Sequence, residues 1–152
     1  MPGAAPRTGD SLSYPAGELA AAADGYSAMW RTLQREGIAV VALGDTPTPP
    51  SAPIDAECIV AKDPARCGSP RSRAEAVPDP LKAAAAETPG VPFLDPVTAF
   101  CGPTWCPGVI GNVGVYVDDN HASNTYVLST MPWLQQRLVP LLAVALRDVA
   151  AT

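Results

Sequence analysis

The chain has 152 residues, one domain's worth, and 47% hydrophobic against 16% charged residues supplies a buried core and excludes disordered or collagen-like classes. Its net charge is −5 with only 10 Lys and Arg, and no basic cluster exists to neutralise a row of phosphates, which excludes nucleic acid and anionic membrane surfaces as partners. No stretch approaches the roughly 20 apolar residues of a membrane-spanning helix, so no membrane insertion by this chain is expected.

Met1 to Thr8 has neither the cationic nor the apolar region of a secretory signal, so the chain expressed alone is expected to stay in the cytoplasm. Residues 1–16, with Pro2, Pro6, Gly9 and Pro15, read as loop or frayed terminus, and the domain is expected over 17–150. From Glu18 to Glu36, Leu19, Ala22, Tyr26, Met29, Trp30 and Leu33 recur at helical spacing, and Gly37 sits where a C-terminal cap belongs. Ile38 to Leu43 is an unbroken apolar run ending at Gly44, the pattern of a strand buried on both faces in a parallel sheet.

Prolines and charges dominate residues 46–80, a long loop insertion. Asp79 is placed to cap a helix over Pro80 to Glu87, and Val91 to Asp95 reads as a second strand. Val113 to Val117 shows a period of two and runs into Asp118-Asp119-Asn120-His121. After Ser123, a helix cap, a helix is expected from Thr125 to Asp148, burying Leu134, Leu138, Leu141, Leu142, Ala145 and Leu146 and bent or divided by Pro132 and Pro140. Helices alternating with two or three strands indicate an α/β chain with an incomplete sheet.

The four cysteines form two close pairs, Cys58 with Cys67 and Cys101 with Cys106, each bounding a short loop as disulfides of an oxidising compartment do. The competing reading is a four-cysteine zinc site, which the eight-residue gap between Cys58 and Cys67 fits poorly. Such cysteines in a chain without an export signal suggest a piece of something longer.

His121 is the only histidine, so imidazole-based proton transfer must use it. Asp118, three residues earlier, can reach the same side of a turn, accept the Nδ1 proton and stabilise the imidazolium. The pair also follows a strand's carboxyl end, where open α/β sheets place their crevice. The alternative is that Asp118, Asp119 and Asn120 are ordinary turn and capping residues.

The string Val115 to His121, followed by Thr125-Tyr126 and a proline-broken terminal helix, resembles the Asp-x-x-His block of the SGNH hydrolases. It resembles more closely the C-terminal extracytoplasmic SGNH domain fused to membrane acyltransferase-3 proteins in bacteria. The similarity extends through the Tyr26 to Leu33 helix, Asp45-Thr46-Pro47, the Cys58 to Cys67 loop, and Phe100-Cys101 to Cys106 with Gly111-Asn112, covering roughly residues 24–146. It implies the C-terminal portion of an α/β, flavodoxin-like three-layer SGNH fold with few parallel strands.

The resemblance further implies a serine O-acyltransferase or esterase acting on acyl, typically acetyl, esters of cell-surface glycans. Asp118 would orient His121, with no cofactor and no metal. An acyl donor, a glycan acceptor and a membrane acyltransferase-3 domain or upstream fragment would be partners, on the extracytoplasmic side. Where related domains carry Leu after the histidine, this chain has Ala122, which should loosen packing behind the imidazole.

Gly9-Asp10-Ser11-Leu12 matches the family's first block letter for letter, making Ser11 the candidate nucleophile. Its setting departs from the family's, whose serine ends a hydrophobic strand that Pro2 and Pro6 forbid here. The serine would otherwise lie outside this chain. Gly44-Asp45-Thr46 also follows a strand; Asp45 and Thr46 line the crevice or form a turn, since a Thr46 nucleophile needs an adjacent base. Asn112 reads as a turn residue, and Trp30, Trp105 and Trp133 as core or loop packing, with sugar stacking the alternative for Trp105. The rival to catalysis is a disulfide-stapled accessory domain without a complete triad.

Overall fold

A computed structural model describes residues 17–47, 66–118 and 121–151. The alanine-rich segments behave as their propensity dictates. Helix α1 spans Glu18–Arg35 and turns off at Gly37, which adopts φ 74°. In the fold, α1 packs along the helix Pro80–Glu87, whose Asp79 cap accepts the Leu81 N–H at 2.8 Å. The buried stripe of α1 is Ala23, Ser27 and Trp30; Tyr26 is part-exposed and Met29 is 49% exposed, against expectation. Ala84, fully buried on the facing helix, lets the two backbones approach, so small residues occupy the seam. Ser27 is tolerated there because its hydroxyl donates to the Ala84 carbonyl at 3.3 Å.

Strand β1 is Ala42–Leu43, much shorter than the apolar run around it. Ile38 and Leu43 are half-exposed, so the run is not covered on both faces. The reason is a shortage of neighbours. Among the described residues β1 has one partner strand, the parallel segment Phe93–Leu94, with Ala42 opposite Phe93 and Leu43 opposite Leu94. The helix Pro80–Glu87 makes the crossover between them, as a parallel pair requires.

The 46–80 stretch is not all loop. It contains β2 (Gly68–Pro70) and the one-turn helix α2 (Arg71–Ala74), which precede α3, the Pro80–Glu87 helix. After β3 (Phe93–Leu94) come α4 (Val97–Phe100) and β4 (Trp105–Pro107), and β4 pairs antiparallel with β2. β5 (Val109–Ile110) and β6 (Val113–Gly114) form a hairpin. Its turn, Gly111 at φ 58° and Asn112 at φ 63°, has the two left-handed residues of a type I′ connection.

Cys101 and Cys106 are joined in a disulfide and buried in a second core with Phe100, Val115, Tyr116 and Tyr126. The Phe100 and Tyr126 rings meet edge to face at 5.3 Å. Val115 and Tyr116 are both buried, so the expected period of two does not persist beyond β6.

The C-terminal helix is two helices, α5 (Asn124–Ser129) and α6 (Met131–Ala150). The break falls at Thr130, ahead of Pro132, whose missing N–H costs nothing in a first turn. Pro140 lies inside α6 without ending it. The leucine stripe is not buried: Leu142 is 42% and Leu146 53% exposed, and Ala145 alone in α6 is buried. α6 contacts β3 and α5, and its Val144 and Asp148 line a cleft with the end of α3 and residues 88–92, while Leu142 and Leu146 stay exposed. The result is an α/β chain with helices and, among the described residues, three two-stranded sheets.

Candidate functional site

The chain folds back on itself after β6. Tyr116 forms a β-bridge with Ala122, the Val117 N–H donates to the His121 carbonyl at 2.9 Å, and the Ser123 N–H donates to the Val115 carbonyl at 2.7 Å. Ser123 also caps α5 by accepting the Tyr126 N–H. These bonds close a small loop with Asp118 and His121 at its tip; Asp119 and Asn120 between them lie outside the described residues.

Asp118 uses both carboxylate oxygens on His121. Oδ1 accepts the His121 backbone N–H at 2.7 Å, and Oδ2 lies 2.7 Å from the ring Nδ1. The first bond is the turn-capping role; the second is the orienting role, and one side chain performs both. An ionised carboxylate only accepts, so Nδ1 is the donor in this geometry and Nε2 is the acceptor nitrogen of the neutral ring. The two side chains are 72% and 48% exposed for His121 and Asp118. Nε2 makes no hydrogen bond among the described residues. Ala122, behind the ring, packs against the Phe100 and Tyr116 core.

A cavity of about 470 Å³ opens at the carboxyl ends of β1 and β3, and Asp45 and Thr46 line it. Gly44 makes its floor possible: a Cβ there would come within 2.6 Å of the Phe93 ring and 2.9 Å of Asp79 Oδ2. Asp118 and His121 are not among its lining residues. Pro47 is, and its carbonyl accepts the Tyr116 hydroxyl at 2.8 Å, so the segment leading to Asp118 is tied to the cavity wall. Burial raises the Tyr116 phenol far above its ordinary value, with Tyr126 adding to the shift, and burial raises Tyr126 as well. The Tyr126 hydroxyl donates to the Ala99 carbonyl.

Ser11 and Cys58 lie outside the described residues, whereas Cys67 is disulfide-bonded. No group of three or more His, Cys, Asp or Glu able to hold a metal occurs among the described residues. Trp30 is core, Trp105 is part-exposed on β4, and Trp133 stacks under the Arg137 guanidinium at 4.7 Å. Sequence reasoning missed Tyr116, Lys82 and Asp95 as site-forming groups. Only Tyr116, two positions before the Asp-x-x-His string, stood where a signal existed.

The sequence profile of the family described as "SGNH domain (fused to AT3 domains)", AT3 being acyltransferase-3, matches residues 3–132. The chain belongs to this SGNH family. The comparisons gave no significant match to a curated protein or to a solved structure. The matched span of this SGNH domain contains Ser11, the loops that form the cavity, and the Asp118–His121 pair. No helix among the described residues of the SGNH domain is long and apolar enough to cross a membrane.

Proposed function

We propose that this SGNH domain is the His/Asp-bearing portion of a serine O-acyltransferase or esterase that moves acyl groups, acetyl foremost, on cell-surface glycans. The observation that carries the reading is the two-point clasp of Asp118 on His121, 2.7 Å to the backbone N–H and 2.7 Å to Nδ1. That clasp fixes the ring's tautomer and turns its basic nitrogen outward. In a flavodoxin-like three-layer arrangement β1 and β3 would be adjacent strands with the cavity at their carboxyl side, and the Tyr116–Pro47 bond ties the segment leading to the pair to that cavity's wall.

The chemistry needs no cofactor. Nε2 of His121 takes the proton of a serine hydroxyl as Oγ attacks the donor ester's carbonyl carbon. The tetrahedral intermediate collapses, its bond to the donor oxygen breaks, and the donor alcohol departs with the proton from His121. An acyl-serine ester remains. The acceptor hydroxyl, or water, then attacks that ester; His121 takes its proton and returns it to the serine oxygen as the acyl group leaves. Asp118 stabilises the imidazolium in both steps. Ser11 is the nucleophile proposed within this chain, and a membrane acyltransferase-3 domain on the extracytoplasmic side is the proposed donor partner.

An organophosphonate ester probe tests the reading. Labelling of Ser11, or of a serine in the acyltransferase-3 protein that carries this domain, is expected, and His121→Ala should abolish it. Labelling that persists in His121→Ala overturns the proposal. A second reading, a disulfide-stapled accessory domain, draws on the 72% exposure of the His121 side chain, with no hydroxyl at Nε2 among the described residues. Complete absence of labelling would establish that reading.

A further inference from the structure

We propose that the cavity at the carboxyl ends of β1 and β3 is a subsite for an uncharged or amino-substituted sugar ring, and that its carboxylates reject acidic sugars. The inference deepens the glycan reading above and rests on it. At about 470 Å³ the space is of the size that binds small ligands. It stands where an open α/β sheet receives them.

The walls decide the ligand's charge. Asp45, Glu75, Asp79 and Asp95 line the cavity, with Lys82 as the one cation among the described lining residues. Lys82 Nζ pairs with Asp95 Oδ2 at 3.2 Å, and Arg71, from outside the cavity, pairs with Glu75 at 2.6 Å. Asp45 and Asp79 have no cation in contact among the described residues. Asp79 cannot swing away, because its two oxygens accept the Leu81 and Asp45 backbone N–H groups at 2.8 and 3.0 Å. Asp45 Oδ1 accepts the Thr46 N–H at 2.8 Å, and its second oxygen has no hydrogen-bond donor among the described residues.

A hydroxyl-rich ring supplies the donors such oxygens lack, and an ammonium supplies a charge as well. A carboxylate or sulfate on the sugar meets fixed like charge. The part-exposed Tyr26 ring and Phe93 give the apolar wall on which the C–H face of a sugar packs. Lys82, 5.9 Å over the Phe93 ring, is held by that contact and by Asp95. The occupant lies against the same Pro47 loop that the Tyr116 hydroxyl grips.

The test is a titration of the isotope-labelled chain, followed by amide resonances, with methyl β-glucoside, glucosamine and glucuronate in turn. The first two are expected to shift Gly44, Asp45, Lys82 and Asp95, with glucuronate roughly tenfold weaker. Asp45→Lys should narrow or reverse that preference. No response of these amides to the glucoside or glucosamine, or equal binding of glucuronate, overturns the proposal. Organophosphonate labelling of the unaltered chain separates it from the acyl-transfer reading. Sugar shifts that survive while organophosphonate labelling never occurs leave the subsite and remove the chemistry; labelling without sugar shifts removes the subsite alone.

Discussion

The hydroxyl of Tyr116 donates to the carbonyl of Pro47 at 2.8 Å, joining residues 69 apart in sequence. The bond links the loop after β1, which lines the cavity, to the strand end that leads into Asp118. The bond is buried, and burial of the ring, with Tyr126 adding to it, keeps the phenol neutral far into the alkaline range.

Tyr116→Phe is expected to cost about 1 kcal/mol by deleting this bond. A second signature follows from linkage. Tyr116 holds its proton more tightly folded than unfolded, so its stabilisation is complete below the unfolded value of about 10 and is lost as pH rises from there towards the folded value. Urea melts between pH 8 and 11 should show stability falling in the native protein and falling less steeply in the Phe variant. Equal slopes would remove Tyr116 from the account.

Asp118→Asn keeps an oxygen for the His121 N–H but loses the carboxylate at Nδ1. Hydrolysis of an acetyl ester by the assembled enzyme is expected to drop by roughly 10⁴-fold, the scale of tautomer loss in a serine triad. Since both side chains are exposed, unfolding free energy should move by no more than about 0.5 kcal/mol. Undiminished turnover would refute the orienting role.

Gly44→Ala drives a methyl against Phe93 and Asp79. A loss of about 1–3 kcal/mol is expected by chemical denaturation, the range for overpacked sites. An unchanged midpoint would show that the cavity floor yields.

On α6 the expectation divides within one turn. Leu142→Gln and Leu146→Gln, on the exposed face, should each shift stability by about 0.5 kcal/mol or less, whereas Ala145→Leu, at the buried contact, should cost about 1–3 kcal/mol. A large loss from the glutamines in thermal melts would mean that the face is covered in solution.

Removing the Cys101–Cys106 bridge with paired Ala substitutions is expected to lower stability by roughly 2 kcal/mol, since the loop it closes is short.

Local chemistry was legible without coordinates. The spans of α1 and α3, the caps at Asp79 and Ser123, the Gly111–Asn112 turn and the reach of Asp118 to His121 each depend on residues within a few positions of one another. The order of motifs carried the SGNH kinship for the same reason. Tertiary structure alone decided the rest. The apolar run at Ile38 to Leu43 and the leucines of α6 read as buried, yet Ile38, Leu43, Leu142 and Leu146 stand half in solvent. Periodicity reports that a face is apolar, not that another element lies against it. The cavity joins α1, the loop after β1, the start of α3 and the end of β3, and no pattern along the chain encodes a volume enclosed by four separate segments.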